Sequence, residues 1–196
     1  MVKDKVSMEY EARVMVSEED YYLIQEAKLE EGKPVKHLVN ENIYFDNEER
    51  YLTNHHIVLR IRTIDSKEHE LTLKIKGQDG DVEITTILDQ EQYLATLKDE
   101  IIKDENIINE LKKRNIDHTN LHIVAQLLTY RTEIDYDKYL LVIDKNQYNG
   151  KIDFNIEVES TSREDALKYL KKIIKPYGVQ YKKDYISKSR RAILKL

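Results

Sequence analysis

Residues 8–16 read Met-Glu-Tyr-Glu-Ala-Arg-Val-Met-Val. Side chains of a strand point alternately to its two faces. Glu9, Glu11 and Arg13 therefore share one face, and Tyr10, Ala12 and Val14 the other. The pattern recurs along the chain. Residues 57–64 set Val58, Arg60 and Arg62 against Leu59 and Ile61, and 71–76 set Thr72, Lys74 and Lys76 against Leu71, Leu73 and Ile75. Residues 77–80 predict a turn, after which 82–88 returns with Glu83 and Thr85 opposite Ile84. In 124–135, Leu127, Thr129, Arg131, Glu133 and Asp135 face away from Gln126, Leu128, Tyr130, Thr132 and Ile134. Residues 139–144 place Leu140, Val142 and Asp144 against Tyr139, Leu141 and Ile143. The dipeptide Asn149-Gly150 is a hairpin-turn signal. Beyond it, 152–159 alternates strictly, with Asp153, Asn155, Glu157 and Glu159 opposite Ile152, Phe154, Ile156 and Val158.

Helical signals fall between these strands. Ser17-Glu-Glu-Asp20 resembles a capping box opening a helix to about 31. An imperfect apolar stripe (Tyr93, Leu94, Leu97, Ile101, Ile107, Ile108, Leu111) predicts one helix over 89–114. Ser162-Arg-Glu-Asp165 opens another to about 175, stopped by Pro176 and Gly178. A last segment, 184–194, carries Lys188, Arg190 and Arg191 and reads as a final strand of undetermined parity. Many short alternating strands joined by hairpins predict an α+β fold. Its antiparallel sheet is closed or nearly closed into a barrel, with helices covering the apolar outside.

Composition narrows the class. Of 196 residues, 35% are charged, yet Lys+Arg 32 and Asp+Glu 37 nearly cancel to −5. That excludes a basic nucleic-acid tail or an acidic solvating tail, and no nucleic-acid partner is expected. A hydrophobic share of 40% is enough to build a core. No run is long and apolar enough to cross a bilayer as a helix, so no membrane partner is expected, and the start lacks a signal-peptide core. With no cysteine there is no disulfide, thiolate site or cysteine nucleophile, and a cytoplasmic location is expected. Low Gly and Pro and no linker-like stretch predict one domain over 1–196.

A solvated outer face would give the same alternation on any one strand. The set of strands behaves differently, because the signs are sorted. Arg60, Arg62, Lys74, Lys76, Arg131, Lys188 and Arg190 concentrate on some segments, while Glu9/Glu11 and Glu157/Glu159 form carboxylate pairs at i, i+2. Such a pair has both side chains on one side of its strand, so both reach one hard cation. Two pairs could hold one or two Mg²⁺ or Mn²⁺ ions. Arg and Lys clusters complement phosphate oxygens. Together these are the parts needed for phosphoryl transfer from a polyphosphate.

With those residues in view, Glu9-Tyr-Glu-Ala-Arg13 resembles the N-terminal Glu-x-Glu-x-Lys strand of the CYTH domain, the triphosphate tunnel metalloenzyme superfamily. Further elements follow in that family's order: Tyr44-Phe-Asp46, Leu59-Arg-Ile-Arg62, Thr72-Leu-Lys-Ile-Lys76, Arg131, Asp144, Ile156-Glu-Val-Glu159 and Lys188-Ser-Arg190. The chain is most similar to the small YjbK-like bacterial branch. The resemblance implies an eight-stranded antiparallel tunnel with inward charges. In it, Glu9, Glu11, Glu157 and Glu159 serve as catalytic metal ligands. Arg60, Arg62, Lys74, Lys76, Arg131 and Lys188 hold a triphosphate or polyphosphate, with Arg190 a further phosphate candidate. Asp144 and Glu83 assist with metal or water. Members of the family include inorganic and thiamine triphosphatases, RNA triphosphatases and class IV adenylate cyclases.

Two positions depart from the family pattern. Arg13 stands where Lys is usual, so in the phosphate-binding set a planar fork replaces a point donor. Asp81 stands where an arginine is common, two residues before Glu83. The expected activity is divalent-metal-dependent hydrolysis of tripolyphosphate, thiamine triphosphate or a nucleoside triphosphate. Its alternatives are an adenylate cyclase of the same fold, a non-catalytic polyphosphate binder and a plain structural protein. His118 and His122 at i, i+4 lack a third ligand and read as surface histidines. The tyrosines read as sheet packing.

Overall fold

The computed structural model describes residues 5–77, 81–182 and 186–196, with the side chains of 5–7 and Glu9 outside the description. Eight strands are present: β1 (Lys5–Val16), β2 (Val35–Asp46), β3 (Ile57–Ile64), β4 (Glu68–Ile75), β5 (Asp81–Leu88), β6 (His122–Asp135), β7 (Tyr139–Tyr148) and β8 (Lys151–Ser160). They form one strongly curled antiparallel sheet, with neighbours in the order β1-β5-β4-β3-β2-β6-β7-β8. Among the described residues six α-helices accompany them: α1 (Glu18–Leu29), α2 (Tyr51–Asn54), α3 (Gln90–Asp99), α4 (Glu105–Lys112), α5 (Arg163–Ile174) and α6 (Lys188–Leu194). This is the α+β antiparallel fold class that the alternation predicts.

The chain divides into two compact units. Unit one comprises Met1–Met8, Glu41–Leu127 and Ser189–Leu196, and unit two comprises Glu9–Asn40 and Leu128–Lys188. In unit one, β3 pairs with β4 and β4 with β5, bringing Leu59 opposite Leu73 and Lys74 opposite Glu83. The apolar side of these strands (Leu59, Ile61, Leu71, Leu73, Ile84) packs against Ile107 and Leu111 of α4 and Leu52 of α2. In unit two, β6 pairs with β7, β7 with β8, and β8 with β1. There Ala12, Val14, Leu141, Ile143, Phe154, Ile156 and Val158 pack against Tyr21 and Ile24 of α1 and Ala166, Leu170, Ile173 and Ile174 of α5. Each unit thus buries one face of its strands under helices, and the charged residues are left on the other face.

Local signals explain most boundaries. Ser17 caps α1, its hydroxyl accepting from the Asp20 amide at 3.0 Å. Ser162 does the same for α5 through Asp165. Asn149 and Gly150 have φ of 50° and 74°, joining β7 to β8 by a two-residue turn with Tyr148 opposite Lys151. The predicted turn at 77–80 falls largely on residues 78–80, which lie outside the described residues.

Residues Val35–Asp46 form a strand that alternation did not reveal, because Tyr44, Phe45 and Asp46 are all buried and blur the period of two. Two expectations are corrected. The single helix over 89–114 is two. Glu100 turns left-handed at φ 54°, and Asp104 then caps α4 by accepting from the Ile107 amide at 2.8 Å. The last segment is a helix over Lys188–Leu194, not a strand. Ser189, Ala192 and Ile193 are buried at i, i+3, i+4 spacing in a stretch of good helix formers.

Candidate functional site

In unit two the charged face is built by register. Arg131 of β6 lies opposite Asp144 of β7, which lies opposite Asn155 of β8. One step along, Glu157 lies opposite both Val142 and Arg13. Directly opposed residues project to the same side, so these groups meet. Arg131 grips Asp144 with both arms of its fork, Nε to Oδ1 at 2.9 Å and Nη2 to Oδ2 at 3.0 Å. Its Nη2 also donates to Glu157 Oε2 at 3.5 Å, and Nη1 is 3.6 Å from Glu133. Lys188, the first residue of α6, donates to Asp144 and stands 3.2 Å from Glu157 Oε1. Arg13 pairs with Glu11, and its Nε is 3.9 Å from Glu157.

This cluster is dry. Asp144 is 0% and Glu157 2% exposed. Burial disfavours both carboxylates, yet the charges of Arg131 and Lys188 at Asp144, and of Lys188, Arg13 and Arg131 at Glu157, hold them well below the usual carboxylate range. Burial likewise opposes the Arg131 charge, and Asp144 and Glu157 more than offset it. Asn155 donates to Glu157 at 3.2 Å and to Asp144 at 3.5 Å. Asn146 anchors Asn155 from behind at 2.8 Å, and Thr129 orients Asn146 at 2.9 Å. Sequence reasoning placed Asn155 on the acidic face but gave it no role. Asn146 and Thr129 were missed, although their register positions beside Asp144 and Arg131 were readable.

Glu159 lies in register with Glu11 and is half-buried. Glu9 shares their strand pattern, but its side chain lies outside the described residues. Among the described residues no three acidic or histidine side chains are grouped to hold a metal. The donor chemistry nevertheless fits a hard cation. Every candidate ligand is a carboxylate, and Glu157 is kept ionised by its neighbours. In this arrangement the counter-charge for Glu157 and Asp144 comes from Lys188 and Arg131.

In unit one the cations sit on β3 and β4 and two carboxylates on β5. Arg60 Nη2 is 3.7 Å from Glu83 Oε1, and Lys74 Nζ is 3.8 Å from both Asp81 and Glu83. Arg62 donates to Asn42 of β2 at 3.3 Å. Glu70, which sequence reasoning passed over, lies opposite Arg62 in register. Thr72 and Thr85 hydrogen-bond each other at 3.2 Å, and Thr85 donates to Glu83 at 3.5 Å. Lys76 is exposed just past the end of β4, and Arg190 is half-buried on α6. Desolvation first, and then the charges of Lys76 and Arg190, lower the His56 pKa.

Both units therefore present ion-paired, polar faces opposite apolar ones. Residues 7–190 match the CYTH domain, and the chain belongs to the CYTH domain family. The "putative triphosphatase YjbK" of Bacillus subtilis is 28% identical over 139 residues, covering 71% of this chain and 71% of that protein. The crystal structure of a "putative adenylate cyclase" from Bacillus halodurans is 26% identical, with a TM-score of 0.84 over 95% of this chain and 97% of the other. A Hippeastrum protein described as a "putative adenylyl cyclase" with dominant triphosphatase activity shares the fold at 19% identity, with a TM-score of 0.76 over 94% of each chain. Among the described residues no helix is long and apolar enough to cross a membrane.

Proposed function

We propose that this protein hydrolyses a triphosphate, drawn from tripolyphosphate, thiamine triphosphate and nucleoside triphosphates, with a divalent cation as cofactor. The observation that carries the reading is the buried, charge-sorted cluster around Glu157. Asp144 and Glu157, at 0% and 2% exposure, lie among three cations, Arg13, Arg131 and Lys188. Burying such groups costs several kcal/mol per ion unless each is paired (on the order of 5). The CYTH family membership and the triphosphatase name of the B. subtilis relative support a phosphate chemistry for that cluster.

In this reading Glu9, Glu11, Glu157 and Glu159 hold Mg²⁺ or Mn²⁺. The ion supplies Lewis-acid polarisation of a phosphoryl oxygen and neutralises charge on the chain of phosphates. Arg60, Arg62, Lys74, Lys76 and Arg190, with Arg13, Arg131 and Lys188, bind phosphate oxygens and stabilise charge developing on the leaving diphosphate. Asp144 keeps Arg131 and Lys188 in place, and Asn155 fixes the Glu157 carboxylate. Arg13 contributes a fork that can span two oxygens of one phosphoryl group.

Purified protein is incubated with tripolyphosphate, thiamine triphosphate and ATP, with Mg²⁺ or Mn²⁺, while phosphate and cyclic AMP are measured. The proposal expects phosphate release that disappears on chelation. The likeness to the B. halodurans structure favours a second reading, cyclic AMP formation from ATP. Cyclic AMP without phosphate release would select it. Binding without turnover would select a polyphosphate binder.

A further inference from the structure

The charged face of unit one contains a carboxylate to which the triphosphate reading gives no role. Asp81 opens β5 and is 9% exposed. Its Oδ2 lies 3.8 Å from the Lys74 ammonium, and Glu83 Oε2 lies 3.8 Å from the same ammonium. Glu83 Oε1 is 3.7 Å from Arg60 Nη2. These separations are ion-pair distances and too long for hydrogen bonds. The carboxylates set the potential at the cations without taking up the guanidinium donors.

Arg60 shows the consequence. Its Nε is buried and has no hydrogen-bond partner among the described residues. A buried charged donor left unmade is costly, and it is met when an acceptor arrives. A phosphoryl oxygen is such an acceptor, and the fork geometry of Arg60 suits it. Any phosphate placed on Arg60 and Lys74 also comes close to Asp81 and Glu83. Like charges then repel, and the repulsion grows with the charge of the ligand.

We propose that Asp81 is the specificity-determining residue of the Arg60–Lys74 cluster. It disfavours the fully ionised polyphosphate chain relative to forms of lower charge, namely shorter phosphates or the chain neutralised by a divalent ion. Asp81 adds a second carboxylate to the Glu83 already beside Lys74. The inference rests on the triphosphate reading of this site.

The test compares wild type with Asp81→Asn, Asp81→Ser and Asp81→Glu, by calorimetric titration with tripolyphosphate, pyrophosphate and orthophosphate at fixed ionic strength in chelator, and by KM and kcat for phosphate release from tripolyphosphate in Mg²⁺. In chelator, Asp81→Asn and Asp81→Ser should bind tripolyphosphate about tenfold more tightly than wild type. Orthophosphate should change by no more than about twofold, and Asp81→Glu should match wild type. In Mg²⁺ the gain should shrink. Equal gains for all three phosphates, no gain in a variant that melts like wild type, or a fall in kcat with KM unchanged would overturn the inference. If wild type and both neutral variants bind no tripolyphosphate, the triphosphate reading itself is what fails. If wild type binds it and the variants bind equally well, only the role of Asp81 fails.

Discussion

At the scale of single residues, the strongest commitment is Arg131 to Asp144. Removing one partner of a buried, bidentate pair leaves an uncompensated charge, so Arg131→Leu should cost ~3–5 kcal/mol in urea unfolding. Arg131→Lys should retain charge but lose the fork and fall between. The same cluster sets acid stability. The folded-state pKa values of Asp144 and Glu157 lie below those of unfolded carboxylates, about 4. Their contribution is therefore fully present above about pH 4 and is lost as pH falls through the lower folded values. Unfolding midpoints measured from pH 7 downwards should drop steeply below about pH 4, and Asp144→Asn should flatten that drop. Asp46 is a second committed carboxylate, with no place in the chemistry. It is 0% exposed and accepts from the amides of Leu52 and Thr53 at 2.9 and 3.0 Å and from the Thr53 hydroxyl at 2.6 Å. Asp46→Ala would strand these donors and should lower stability by ~2–4 kcal/mol, read by the same unfolding experiment.

Elements show where a sequence speaks and where it falls silent. The strict alternation of 152–159 was readable because β8 has one face against Ala166, Leu170 and Ile173 and the other among charged groups. Its period of two is a direct record of that asymmetry. In β2 the record is erased where consecutive residues Tyr44, Phe45 and Asp46 are all buried. The imperfect 89–114 stripe holds no Gly or Pro to stop a helix, and the break rests on a left-handed Glu100 and on Asp104, whose carboxylate caps α4 and accepts from Thr86 at 2.8 Å. That competition for a side chain has no periodic signature. The acidic and basic faces were legible as alternation. Which cation meets which carboxylate was not, because cross-strand register decides it. Arg131 against Asp144 and Lys74 against Glu83 depend on pairings fixed by turns and packing. Capping, by contrast, is local and transferable. Ser162→Ala removes the cap of α5 and should cost ~1 kcal/mol, visible as a lower thermal midpoint with the helical circular-dichroism signal retained.

For the whole molecule, the 35% of charged residues no longer describe a merely soluble surface. Many of those that alternation placed on strands are ion-paired on the sides of β1, β3–β8 that face away from the helices, in both compact units. The chain belongs to the CYTH domain family, and phosphate chemistry on these faces is what the proposed function adds to that. The account then stands on whether Glu157, the carboxylate held by three cations, takes part in turnover as well as in folding. The direct measurement is phosphate release from tripolyphosphate in Mg²⁺ or Mn²⁺ by wild type and by Glu157→Gln and Glu159→Gln, each first shown to melt cooperatively. The account predicts metal-dependent release by wild type and a loss of at least about 100-fold in kcat in both variants. Wild-type rates in folded variants, or release indifferent to chelation, would contradict it.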